Sequence, residues 1–182
     1  ELDGEPYFGH LRGRYSKQEL KEINDYCNSI GITVIPCFQT LAHLNQMFKW
    51  EVYNNIRDTG DIMLCEEEKT YALIEKMFQT FKECLSTNVV HIGMDEAHHV
   101  GLGTYFDKHG ITPRFELINL HLQKVLKIKR IRRASFRTKK NLPIQSTKRK
   151  ALEKIYKMIF GDYILTSRQL FRTEFASTSD GR

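Results

Sequence analysis

The spacing of apolar residues divides the first 128 positions into three helices and two short strands. Leu20, Ile23, Cys27 and Ile30 recur at the period of one helical face. Ser16-x-x-Glu19 precedes them as a capping box, in which each side chain satisfies a backbone N–H at the helix start. Gly31 suits the left-handed position that ends a helix. ITVIPC (32–37) follows, a β-branched run that reads as a buried strand. Residues 38–65 show no sustained period beyond one helical turn near Leu41–Phe48. A second helix is expected over about 66–85, with Tyr71, Ile74, Met77, Phe78, Phe81 and Leu85 on one face. After a turn at Ser86–Asn88, VVHIGMDEA (89–97) opens as a second buried strand. An irregular, glycine-bearing stretch (98–112) leads to Thr112–Pro113, a good helix start. Phe115, Ile118, Leu122, Val125 and Leu126 continue a third helix.

Helix-to-strand connections are short in this order, and strand-to-helix connections are long. Parallel α/β folds place their long connections at the C-terminal strand ends, where ligands bind. No G-x-G-x-x-G or Walker motif follows either strand, which argues against a nucleotide fold. The pattern predicts an α/β chain of the TIM-barrel kind. A complete (β/α)8 barrel takes about 250 residues, and this chain has 182, so only part of a barrel is expected.

Charge divides the chain at the same place. Residues 129–182 hold 15 Lys+Arg against 4 Asp+Glu, and residues 1–128 hold 13 against 18. An acidic segment (1–128) is thus joined to a basic one (129–182), through a domain boundary, a tail or a change of reading frame near residue 128. The tail is expected to be helical or disordered. KRIRRASFRTKK (129–140) has no period, whereas Leu152, Ile155, Tyr156 and Ile159 allow a helix at 147–160. No apolar run reaches the roughly 20 residues of a membrane span. Cys27, Cys37, Cys65 and Cys84 form no C-x-x-C pair and read as neutral thiols. Those thiols, with no signal peptide in view, point to a cytoplasmic protein.

The densest chemistry is His91-Ile-Gly-Met-Asp95-Glu96-Ala-His98-His99, at the end of the second strand. Adjacent carboxylates there can serve one site if the backbone turns, and their mutual repulsion separates their proton affinities. One can then donate a proton to a leaving group while the other stays ionised. Gln39-Thr-Leu-Ala-His43-Leu-Asn45 follows the first strand and should adjoin it at the same rim. Solvated loop acids and a satisfied loop histidine are the plainer readings of these two stretches. His98 and His99, with Asp95 or His91, also allow a metal-dependent barrel hydrolase, although H-E-x-x-H is absent. Trp50 and Tyr53 suit either sugar stacking or core packing, and Arg12 and Arg14 either sugar hydroxyls or a solvated loop. The basic tail allows a non-catalytic nucleic-acid-binding module.

His91-Ile-Gly-Met-Asp95-Glu96 resembles the H/N-x-G-x-D-E signature of family 20 glycoside hydrolases, the β-N-acetylhexosaminidases. GEPYFGHLRGRYS (4–16), GITVIPCFQTLAHL (31–44) and HIGMDEAHHVGLGTYFDKHG (91–110) extend the resemblance over about residues 1–128. It implies a TIM-barrel fragment, about strands 3 and 4 with their flanking helices. It also implies an exo-acting enzyme that removes terminal GlcNAc or GalNAc from glycans, with no cofactor and no metal. The substrate's own acetamido oxygen would attack the anomeric carbon, with retention of configuration. By the same resemblance Glu96 is the general acid and base, and Asp95 holds the acetamido N–H. His91 and His43 orient the pair, and His98 supports substrate binding. Many relatives carry Pro-Gly-His where this chain has Leu41-Ala42-His43. An early arginine and later tryptophans of the family's site are not recognisable here. The chain alone is therefore expected to be poorly stable and weakly active or inactive.

Overall fold

The computed structural model describes residues 1–128, and the expectations for the basic tail and the helix at 147–160 fall outside them. α1 (Lys17–Ser29) starts at its capping box. The Glu19 N–H donates to Ser16 Oγ at 3.2 Å, and the Ser16 N–H donates to the Glu19 carboxylate at 2.7 Å. Gly31 takes φ +72° behind it. α2 (Glu68–Cys84) buries Leu73, Ile74, Met77 and Phe78. Its exit is tied to α1, because the Ser86 N–H donates to Asn24 Oδ1 at 3.1 Å. α3 (Thr104–His109) is short, and α4 (Arg114–Lys127) begins directly after Pro113.

On α4 the buried face overlaps only in part with the one the apolar pattern predicts: Val125 is buried and Ile118 and Leu122 pack against the clusters, but Leu126 and Phe115 stay exposed. Leu117, His121 and Val125 are fully buried at i, i+4 and i+8, whereas Phe115 is 75% exposed. The pattern assigned the inward face to the largest apolar residues. The structure turns α4 so that an imidazole bonded to the buried Thr40 carbonyl and the half-buried Tyr71 hydroxyl lies inward.

The two expected strands are the other departure. Segments around Cys37 and His91 run parallel, but they meet in a single bridge, and no strand is formed among the described residues. The His91 N–H donates to Pro36 O at 2.9 Å, and the Phe38 N–H donates to His91 O at 3.2 Å. Upstream, Pro36 has no N–H with which to continue the ladder. Downstream, Gly93 turns to φ +44° and gives its N–H to His91 Nδ1 at 3.2 Å instead of to the facing segment. Neither segment is buried on both faces: Ile35 is 44% exposed, and Cys37 and His91 are exposed too.

Two apolar clusters hold the elements. One centres on α2, with Leu73, Ile74, Met77, Phe78, Tyr53, Ile56 and Ile92. The other, Leu41, Ala42, Ile62, Leu64, Ala97, Val100, Tyr105 and Leu117, joins the two long loops to α4. Within the first long loop, the Met47 and Phe48 N–H groups both donate to Leu44 O, close to the expected helical turn. A 3-10 segment at Glu51–Ile56 follows, without a counterpart in the apolar pattern.

Candidate active site

The second cluster is what brings the candidate residues together. Leu41 and Ala42 are fully buried immediately before His43, and Ala97 is buried immediately after Glu96. The Met63 N–H donates to Leu41 O at 2.8 Å and the Leu44 N–H to Asp61 O at 3.0 Å, folding the first loop back on itself around His43. His43 and Glu96 both adopt positive φ, +60° and +54°. Non-glycine residues rarely do so, and each such position costs on the order of 1–3 kcal/mol. Their buried neighbours hold them there, so the strain coincides with the two side chains that face each other.

His43 Nε2 lies 3.5 Å from Asp95 Oδ2 and 3.6 Å from Glu96 Oε2. Both distances exceed a normal hydrogen bond, so the ring is a shared electrostatic neighbour of two carboxylates rather than the bonded partner of either. All three side chains reach water, with exposures of 40%, 59% and 69% for His43, Asp95 and Glu96. Asp95's own backbone N–H holds its carboxyl below the usual range, aided by Gln39, His43 and His91. Gln39 donates its amide N–H to Asp95 Oδ1 at 3.4 Å. Gly93 is required beside them, since a Cβ there would run into the Gln39 side chain and the Phe38 carbonyl.

Beside this rim lies a hydrogen-bond chain, buried from His121 to Ile92, that the sequence did not single out. The Glu66 N–H donates to Tyr71 Oη at 3.3 Å, and the Tyr71 hydroxyl donates to His121 Nδ1 at 3.1 Å. His121 Nε2–H donates to Thr40 O at 2.8 Å, and Thr40 Oγ1–H donates to Ile92 O at 2.8 Å. The chain requires a neutral imidazole, and burial lowers the His121 pKa to about 4. It connects α2 and α4 to both loops beside His43 and Asp95.

Asp58 is a second support outside the expected set. Its buried carboxylate accepts from the Gly101 N–H at 2.6 Å and the Tyr105 N–H at 2.8 Å. Its carbonyl accepts from the Thr104 N–H at 3.1 Å, and Gly103 passes so close that a Cβ would collide with that oxygen. Asp58 thereby fastens the first loop to the second and to the start of α3. No local pattern marks this role; only the glycines at 101 and 103 hinted at a close approach.

The remaining expected residues are distributed around the pair. His91 lies below it, with Nδ1 accepting from the Gly93 N–H and standing 3.2 Å from Cys37 Sγ. His98 turns elsewhere, with Nδ1 3.5 Å from Arg114 Nη1. Among the described residues no three His, Cys, Asp or Glu side chains are arranged to hold a metal ion. Tyr53 is core, and Trp50 stands half-buried at the rim. Arg14 is spent on its own loop, donating to Pro6 O at 2.6 Å. Three of the four free cysteines are buried and Cys37 is exposed. Burial raises all four thiols, Cys65 to about 12, so they are neutral.

Comparison with known proteins gives one family and three relatives. Residues 5–130 match the glycosyl hydrolase family 20 catalytic domain. Hexosaminidase D of Bos taurus is 30% identical over 107 residues, covering 54% of this chain and 31% of that protein. Hexosaminidase D of Homo sapiens is also 30% identical, over 54% of this chain and 22% of its own length. The Beta-hexosaminidase of Akkermansia muciniphila is 30% identical over 108 residues, 52% of this chain and 21% of that protein. The chain thus spans less than a third of the length of each. A family 20 catalytic domain implies a TIM-barrel-type fold, and the segments around Cys37 and His91 do run parallel. On a match that covers most of its length, this chain belongs to glycosyl hydrolase family 20.

Proposed function

We propose that the chain carries the catalytic rim of an exo-β-N-acetylhexosaminidase acting on glycans that end in N-acetylhexosamine. The observation that carries this reading is the single imidazole of His43 set between Asp95 and Glu96, with His43 and Glu96 both on strained backbone. Glu96, the more exposed acid, protonates the leaving oxygen and then takes a proton from water. Asp95, held ionised, accepts the acetamido N–H and steadies the positive charge that develops as the acetamido oxygen bonds to the anomeric carbon. The glycosidic C–O bond breaks as the C–O bond of the cyclic intermediate forms on the opposite face, and water later attacks the anomeric carbon from the face the leaving group left, breaking that C–O bond and restoring the acetamide. His43 tunes the pair by presenting its one Nε2 atom to both carboxylates. Gln39 and the buried chain through Thr40 hold Asp95 in place.

The product's stereochemistry tests this. An aryl N-acetyl-β-glucosaminide should give the β-hemiacetal first, seen by proton NMR before mutarotation. The corresponding glucoside, without an acetamido group, should not turn over. A first-formed α-anomer, or equal turnover of both substrates, would overturn the substrate-assisted step. The relatives named above as hexosaminidases support the substrate class.

A further inference from the structure

His121 is a fully buried ionisable side chain on α4 that the proposed chemistry does not call on. Its ring is gripped from both sides. The Tyr71 hydroxyl accepts from the Glu66 N–H at 3.3 Å, and its own proton points at His121 Nδ1, 3.1 Å away. A lone pair at Nδ1 leaves the ring proton on Nε2, which stands 2.8 Å from Thr40 O. The nearby charges leave this state alone. Glu66 and Lys124 pair with each other at 3.0 Å and act on the imidazole in opposite senses, so burial keeps it neutral. His121 is thus a donor of one fixed tautomer aimed at one peptide group.

That peptide lies between two neighbours of Asp95. Gln39 precedes Thr40, and His43 follows it by three residues. The Thr40 N–H donates to Ile92 O and Gly93 O, both at 3.1 Å, so Thr40 also sets how near the 92–95 segment comes. Gln39 reaches Asp95 Oδ1 at 3.4 Å, already longer than an ordinary hydrogen bond. A small shift of the 39–40 backbone is enough to break it. The Gln39 side chain has little else to hold it, since its Oε1 is buried without a hydrogen-bond partner and rests close to Gly93. We infer that His121 is a positioning residue for Asp95: its Nε2–H holds the Thr40 peptide, which keeps Gln39 and His43 in register with the Asp95 carboxylate. The inference rests on the function proposed above and deepens it, by giving control of the acid that receives the acetamido group to a buried side chain of α4. Asp95 is faced by its own N–H, Gln39, His43, His91 and Cys37, with Glu96 beside it. His121 governs Gln39 and His43 among these, so its loss should weaken the hold on Asp95 without abolishing it.

The experiment compares His121→Gln, His121→Leu and Tyr71→Phe in the full chain, at matched folded fraction. Glutamine offers a donor to Thr40 O and an acceptor to the Tyr71 hydroxyl, and leucine offers neither. Tyr71→Phe keeps the imidazole but removes what fixes its tautomer, and serves if His121→Leu does not fold. The first readout is the Asp95 carboxyl followed by carbon-13 NMR against pH, with Asp95→Asn to assign its signal. Its midpoint should move upward in His121→Leu and Tyr71→Phe, and His121→Gln should restore it. The second readout is hydrolysis of an aryl N-acetyl-β-glucosaminide. In His121→Leu kcat should fall by roughly 10–100-fold, the scale of a small misplacement at the reacting centre, with KM little changed. An Asp95 midpoint that stays put in both His121→Leu and Tyr71→Phe would overturn the inference and leave His121 as packing alone. So would a loss in His121→Gln as large as that in His121→Leu. The first readout needs no catalysis: a moved Asp95 midpoint in a chain without turnover would remove the proposed function and leave the positioning of Asp95 standing.

Discussion

Asp58 and Asp95 are the same side chain in two unlike regions. Asp58 is 5% exposed, and backbone N–H groups from the other long loop occupy its carboxylate. The Asp95 side chain is 59% exposed and shares a single imidazole with Glu96. The first carboxylate has its hydrogen bonds made and no room for a ligand. The second is held in place from one side and open on the other. A buried, satisfied acid fastens the fold, whereas an exposed acid beside the strained backbone of His43 and Glu96 can act on something that arrives.

The comparison is sharpest at its extremes. Glu96→Gln should cut turnover by roughly 10²–10⁴-fold, the usual contribution of a general acid, while leaving the thermal midpoint almost unchanged. Asp58→Ala should do the reverse in stability. It strands two buried N–H groups, and hydrogen bonds to a charged acceptor contribute about 1.5–3 kcal/mol each, so urea unfolding should show a loss of roughly 3–6 kcal/mol. Asp58→Asn should lose less, because one acceptor remains.

His121 links the two regions and gives them a pH dependence. Its pKa is about 4 in the folded chain and about 6.5 in an unfolded one. The unfolded state therefore binds more protons between those values, and stability falls as pH drops from about 6.5 to about 4. The total is at most about 3 kcal/mol, at 1.36 kcal/mol per unit. Unfolding measured across that range should lose this slope in His121→Gln. A slope that persists would place the titrating group elsewhere.

The smallest expected effect is at His43. His43→Ala should lower turnover by about tenfold, a loss of roughly 1.4 kcal/mol of transition-state stabilisation. It should leave the strain of the positive φ at that position in place, since alanine still has a Cβ. Stability should shift by less than in Asp58→Ala. If His43→Ala destabilises the chain as much as Asp58→Ala, the histidine belongs to the fastening region and not to the rim.

Local patterns were legible in the sequence because local forces decide them. The Ser16–Glu19 box starts α1 where expected, and the period of Ile74, Met77 and Phe78 marks α2. The short strands were not legible in the same way. Their ladder depends on what Pro36 and Gly93 can offer a distant segment, and composition does not report that. The rim was partly legible: His43, Asp95 and Glu96 were expected together and lie together, whereas His98 turns to Arg114. Asp58 and His121 were not legible, because an acid in a polar loop and a histidine in a helix acquire their roles only from burial and distant partners. The family resemblance over residues 1–128 and the match over 5–130 coincide, because the signature residues are contiguous while their supports are scattered.

The central claim is that chemistry belongs to the open rim and stability to the buried seam beside it. Its most direct test is hydrolysis of a chromogenic N-acetyl-β-glucosaminide by the full chain and by Glu96→Gln, with folded fractions matched by circular dichroism. The account predicts a weak turnover, as suits a chain that spans less than a third of its relatives, which disappears in Glu96→Gln while the folded fraction is unchanged. Equal turnover by the two chains would contradict it.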